Sequence, residues 1–490
     1  MRHIPFLIFA LFTMGYSVSA QDNPYRSVFD SFKKDKEEGF ASYRDQINKE
    51  YSDFLRHSWE WFSGNSAIPK PQNEIKPVPP VVAPKEDRIP VPEPIPVIPD
   101  ITIPSPEPSP VPSPISPIEG NHPVVGPIIT FDLYGTECTV SIGKCPQLAL
   151  KDLKENSVAN MWDELSKEDY LVMDCLHLRD SLKLCDWAYI RLCSEIADTV
   201  YPEKQNEAAV LESFLLLQSG YDVLFGRDRD SKQISGMVSA SSLLYERPFY
   251  LVNGMQYYPL RDISCDGLFI FGKSFPNSTP FRLDITQEML FDRKYSKQRS
   301  IKSEKYPFLH LPFCANENLI GFYESYPSSQ VGTDFTSKWR FYANAPASRE
   351  IREYLYPTLT RVTSDKSELD AVSMILDFVQ TGFEYEYDNV VWGHDRAFFP
   401  DETLFYPYSD CEDRSILFSR IVRDVLGLKV ILLYTPGHLS AAVRFDAPVN
   451  GEYVTVDGDD YTICDPTYIH APVGVSMKGK EGQNLTVILL

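Results

Sequence analysis

The sequence predicts an α+β chain whose last unit, residues 346–490, is a helix packed on an antiparallel sheet. Three observations lead there. Leu369, Val372, Ile375, Leu376 and Val379 recur at helical steps of three and four. A second helical pattern runs through Ile416, Leu417, Phe418, Ile421, Val422, Val425 and Leu426, and stops near Gly427. Short β-type runs then follow, "KVILLY", "HLSAAVRF", "EYVTV" and "YTICDPTYI", separated by Pro436-Gly437, Asn450-Gly451 and "DGDD" turns. Helices followed by locally paired strands make an α+β unit.

The rest of the chain divides by composition. Residues 1–20 read as a signal peptide: Arg2 and His3, an apolar run, then Val18 and Ala20 at a cleavage point that makes Gln21 the mature start. The apolar run is too short for a membrane span with the usual flanks, and no later stretch approaches one, so a periplasmic or secreted protein is expected. Residues 21–66 form an amphipathic unit, with a helix expected over 25–64 whose stripe includes Phe29, Phe32, Phe40, Tyr43, Ile47, Tyr51, Phe54, Leu55, Trp59 and Phe62. Something must cover that stripe, either another part of the chain or a protein partner. Residues 67–121 are a proline-rich linker, expected to be an extended polyproline II spacer of about 3 Å per residue, because so many prolines remove ladder donors. Residues 122–345 form a mixed region of helices and strands, in which no catalytic constellation stands out.

Charge narrows the function classes. The formal charge is −21, from 68 acids and 47 bases, and no basic face is available for nucleic acid. The nine cysteines are an odd number, so complete internal pairing is excluded, and none shows the CxxC spacing of a structural zinc site.

One cysteine differs in position. In "YSDCEDRSILFSRIV", Ser409 and Asp410 are N-cap types, which places Cys411 in a helix's first turn. A helix N-terminus and a nearby imidazolium lower a thiol pKa, and first-turn N–H groups can serve an oxyanion. Cys411 is therefore the candidate nucleophile. His438, opening a strand after a tight turn, is the candidate base, and Asp465 in "CDPTY" the carboxylate that orients it, each 27 positions after the one before. Asp410, Glu412 and Asp413 oppose a thiolate unless they point away, cap the helix or pair with Arg414. The same acids are calcium-ligand types. Adjacent residues rarely converge on one ion, and capping accounts for them, so no cofactor or metal is expected. Cys464 reads as core or disulfide, His394 as a weaker candidate base, and Gln380 and Trp392 as oxyanion donors that sequence cannot place.

"DCEDRSILFSRIVRDVLGL", "PGHLSAAVRF" and "CDPTY" together resemble the transglutaminase-like superfamily of cysteine proteases and acyltransferases. The resemblance covers roughly the last 130 residues. It implies a papain-like arrangement with Cys411 as nucleophile, His438 as general base and acid, and Asp465 as orienting carboxylate. The implied function is an exported cysteine peptidase that acts on protein or peptide through a thioester. Two alternatives stand beside it. One is a non-catalytic scaffold that uses the N-terminal helix and an idle domain. The other is a protein transamidase.

Overall fold

The computed structural model describes residues 41–71, 76–78, 81–104, 111–115, 126–167, 170–263, 266–331, 334–479 and 483–490. The signal peptide, the Gln21 start, residues 25–40 of the expected helix and Cys265 lie outside the described residues. The chain is mixed α and β, with several antiparallel sheets.

Among the described residues the amphipathic segment is helical over 41–55, ending earlier than its apolar spacing suggests. Glu60–Ser63 is instead an edge strand, antiparallel to Gly267–Phe271 in a six-stranded sheet. Of the described stripe residues, Tyr51, Leu55 and Trp59 are covered from within, while Tyr43 stays exposed. Tyr51 lies against Trp162, Phe275 and Phe271, with ring centroids 4.7, 4.9 and 5.5 Å away. Asn48 and Gln218 exchange amide hydrogen bonds of 2.7 and 3.3 Å beside it. Four helices of the middle region, Glu155–Leu165, Tyr170–Ser181, Asp186–Val200 and Gln205–Gln218, share the main hydrophobic core. Gln205–Gln218 is buried on every side from Ala208 onward, Glu212 and Ser213 included, as a helix enclosed by others and a sheet must be.

The C-terminal unit carries the candidate site. We label its helices α1 (Glu368–Thr381) and α2 (Cys411–Ile421). Its sheet has seven strands: β1 (Pro94–Val97), β2 (Ile101–Ile103), β3 (Val430–Thr435), β4 (His438–Arg444), β5 (Gly451–Val456), β6 (Asp459–Cys464) and β7 (Thr486–Leu489). Their spatial order is β1-β5-β6-β4-β3-β7-β2. Ser367 caps α1, its hydroxyl accepting from the Asp370 N–H at 3.1 Å, a contact worth about 1 kcal/mol. Gly427, at φ +69°, ends the turn that follows α2. Gly437, at φ +75°, closes the β3–β4 hairpin and sets Thr435 opposite His438.

Both edges of this sheet come from the proline-rich segment, so within the described residues it is a belt rather than a spacer. β1 pairs parallel with β5 and β2 parallel with β7. The reason lies in the proline spacing. Pro94 and Pro96 alternate with Ile95 and Val97, and N–H groups two residues apart point the same way. A strand that lacks every second donor can still ladder on one side, which suits an edge. Asp100 fastens the belt further: its N–H donates to the Leu485 carbonyl at 2.8 Å, and its carboxylate accepts from the Leu485 N–H at 2.7 Å.

Candidate active site

The first turn of α2 is fixed by its acids. The Asp410 N–H donates to Asp413 Oδ2 at 3.1 Å, and Asp413 Oδ1 accepts from the Phe398 N–H at 2.9 Å. Asp413 is therefore spent on capping. Arg414 does not pair with these acids. It is wholly buried and donates to the carbonyls of Gln380 and Phe383, at 3.0 and 2.8 Å, and to Ser409 Oγ at 3.2 Å. Burial pushes its guanidinium down to about 10. Ser415, one turn beyond Cys411, donates to the Leu439 carbonyl at 2.9 Å and pins the helix to β4 next to His438.

β4 and β6 are antiparallel neighbours with Ala441 opposite Cys464, so Asp465 emerges beside the start of β4. His438 Nε2 and Asp465 Oδ2 are 2.8 Å apart. With the carboxylate as acceptor, Nε2 carries the proton and Nδ1 keeps its lone pair. The other carboxylate oxygen, Oδ1, accepts from the N–H groups of Thr467 and Tyr468 at 2.9 and 3.2 Å. His438 Nδ1 is buried without a hydrogen-bond partner. Cys411 and His438 line one cavity of about 40 Å3, together with Lys76, Phe335, Lys338, Trp339 and Tyr434. That volume admits a few waters and no peptide.

The thiol itself departs from the sequence expectation of a lowered pKa. Cys411 is 1% exposed. Burial pushes its pKa up, and the carboxylates of Glu412 and Asp410 push the same way. Lys76 and the Leu439 N–H oppose the rise without reversing it. The thiol donates to Glu412 Oε2 at 3.2 Å. A helix N-terminus is a weak field beside two adjacent carboxylates and the cost of burial.

Lys76, from the proline-rich segment, is a residue that no sequence pattern singles out. Its ammonium bonds Asp410 Oδ2, and lies 2.8 Å from Glu412 Oε1, 3.3 Å from Asp395 Oδ1 and 3.6 Å from Asp388 Oδ2. Lys338 bonds Asp395 Oδ2 at 2.9 Å. Burial is the largest influence on Glu412 and would raise it, but the Lys76 ammonium, a hydrogen bond with Asp410 and the charge of Lys338 together outweigh it and hold the carboxyl at about 2. Asp388 is pushed up to about 7, chiefly by burial. Single oxygens of Asp388, Asp395 and Glu412 lie close enough together to serve a cation. The cation actually among them is the Lys76 ammonium.

The remaining candidates fall elsewhere. Gln380 is structural: its Nε2 donates to the carbonyls of Asp465, Tyr468 and Ala471 at 2.9, 2.9 and 3.0 Å, and its Oε1 accepts from the His470 N–H at 3.1 Å. Trp392 sits under the Arg396 guanidinium at 4.8 Å. His394 is bound to its neighbour's carbonyl, Trp392 O, at 3.1 Å and lines a separate cavity. Cys464 is a free, fully buried thiol in the core. Gln380→Leu is expected to cost about 1–3 kcal/mol, because three carbonyls lose their shared donor. A urea titration of the purified variant measures it.

No protein-family model matches the chain, and no curated protein matches it. Among the described residues, no helix is long and apolar enough to cross a membrane.

Proposed function

We propose that the chain is an exported cysteine hydrolase of the transglutaminase-like type, acting on an amide of a protein or peptide. The observation that supports it best is the His438–Asp465 pair, with the unpartnered Nδ1 of His438 in the cavity that Cys411 also lines. In this reading His438 Nδ1 takes the Cys411 proton, and the thiolate adds to the substrate carbonyl. First-turn N–H groups of α2, which lack intrahelical acceptors, face the oxyanion. The C–N bond then breaks, the amine leaves with the proton from His438, and a thioester remains. Water gives a proton to His438 and attacks the thioester. The C–S bond breaks, and the carboxylic acid leaves with Cys411 restored.

A non-catalytic reading draws on a different observation, the buried thiol bonded to Glu412. Hydroxylamine separates the two. Incubation of the full chain, and of Lys76→Gln, with a mixed peptide pool and hydroxylamine is expected to yield peptidyl hydroxamates by mass spectrometry, with none from Cys411→Ala. No Cys411-dependent product from either chain removes the hydrolase reading. A labelled amine incorporated faster than peptide is hydrolysed would move the assignment to transamidation.

A further inference from the structure

The acids around Lys76 are more than a counter-charge for a helix end. Four carboxylates, Asp388, Asp395, Asp410 and Glu412, meet one ammonium at the wall of the cavity that holds Cys411. Three of them, Asp388, Asp410 and Glu412, are almost fully buried. Two further atoms there remain without partners, Asp410 Oδ1 and His438 Nδ1. Burying this many acids is unfavourable unless a cation meets them. The fold supplies that cation from the proline-rich segment. Among the described residues 76–78, the main chain has one bond to the rest of the described protein, from Tyr387 Oη to the Lys76 carbonyl at 3.4 Å. Described main-chain bonds lie on either side: the Glu246 N–H donates to Ile68 O at 2.8 Å, and the Ile469 N–H donates to Val81 O and the Ala83 N–H to Ile469 O, both at 2.9 Å.

We infer that this nest is an ammonium subsite next to the nucleophile, filled here by the chain's own Lys76, and that it selects peptides presenting a lysine-like side chain close to the attacked amide. Lys76 thus acts as an internal surrogate for substrate. The site stays shut until another ammonium takes its place, an exchange of like for like that leaves the acids compensated throughout. The choice of a peptide as ligand rests on the hydrolase reading above, but the subsite itself does not. The same carboxylates explain why the ammonium is a recognition element and not the acyl acceptor. They hold it protonated, and an amine must be neutral to attack a thioester.

Tethering gives Lys76 an effective concentration in the millimolar range, so a free ligand competes poorly in the wild-type chain. The test therefore uses the full-length Lys76→Gln chain and follows iodoacetamide alkylation of Cys411 by mass spectrometry. Loss of the ammonium by itself pushes the thiol pKa further up and would slow alkylation, so a rate above wild type reports that the thiol has been uncovered, and a rise is expected. N-acetyl-lysine amide should then slow it again in a saturable way, while N-acetyl-norleucine amide, matched in its apolar stem, should not. If Lys76→Gln loses its cooperative melt, Asp388→Asn, which removes one carboxylate and buries no new charge, should show a smaller rise of the same sign. An unchanged rate in the folded variants overturns the inference. So does equal protection by the two amides, or protection by calcium at micromolar concentration, which would make the nest a metal site. Lysine-selective protection with no peptide cleaved leaves the subsite standing and removes the hydrolase reading alone.

Discussion

Asp465→Asn is expected to lower kcat/KM for peptide hydrolysis by about a thousand- to ten-thousand-fold, the size seen when a triad imidazole is held in the wrong tautomer. The geometry decides which way the new amide turns. Oδ1 of Asp465 accepts from the N–H groups of Thr467 and Tyr468. An asparagine must keep its carbonyl oxygen there, because an NH2 group facing two N–H donors would leave all of them unpaired in a buried site. Its NH2 then faces His438 Nε2, which becomes an acceptor, and the ring proton moves to Nδ1. Nδ1 can no longer take the thiol proton. The fold should tolerate the change, with a urea midpoint close to wild type. A loss of less than about tenfold, in a variant of unchanged stability, would mean that Asp465 does not set the tautomer.

Arg414→Met is expected to destabilise the chain by about 3–5 kcal/mol, read from the urea midpoint at constant m. The substitution nearly preserves volume, so packing is not the main loss. The carbonyls of Gln380 and Phe383 and the hydroxyl of Ser409 lose their donor, in a place water does not reach. Arg414 thereby joins the first turn of α2 to the C-terminal end of α1 and to the stretch leading into Cys411. Lysine should recover only part of the loss, since a single ammonium cannot reproduce the planar fork that meets acceptors on two sides. A cost under about 1 kcal/mol would show that those carbonyls find other donors.

The two predictions test different depths of the same site. Asp465 bears on proton position, and Arg414 on whether the turn that carries Cys411 exists at all. Gln380 lies between them. It ties the loop that follows β6 to α1, so Asp465 is held by contacts on both its side chain and its backbone carbonyl. The candidate base is thus oriented by a carboxylate that is itself oriented, which is the arrangement a rigid general base needs.

Legibility in the sequence followed the range of the interactions. The cap at Asp410, the hairpin at Pro436-Gly437 and the strand opening at His438 depend on neighbours within a few residues, and local pattern was enough to place them. The pairing of His438 with Asp465 was reachable too, because strands two steps apart in sequence can lie side by side, as β4 and β6 do. The N-terminal helix ends before its aromatic spacing does, since that spacing continues into Glu60–Ser63, where pairing with Gly267–Phe271 overrides helical period.

The α+β order of the last unit, the helix start at Cys411 and the strands that carry His438 and Asp465 follow from local pattern. That the proline-rich segment closes both edges of the sheet, that Lys76 sits among Asp388, Asp395, Asp410 and Glu412, and that the Cys411 thiol is buried with its pKa pushed up emerge only from long-range contacts. The physical reason is that charge and burial are set by groups far apart in the chain. Lys76 and Asp410 are separated by 334 positions, and no periodicity or capping rule reaches across that distance. Such a contact exists only once the belt has been laid against the sheet.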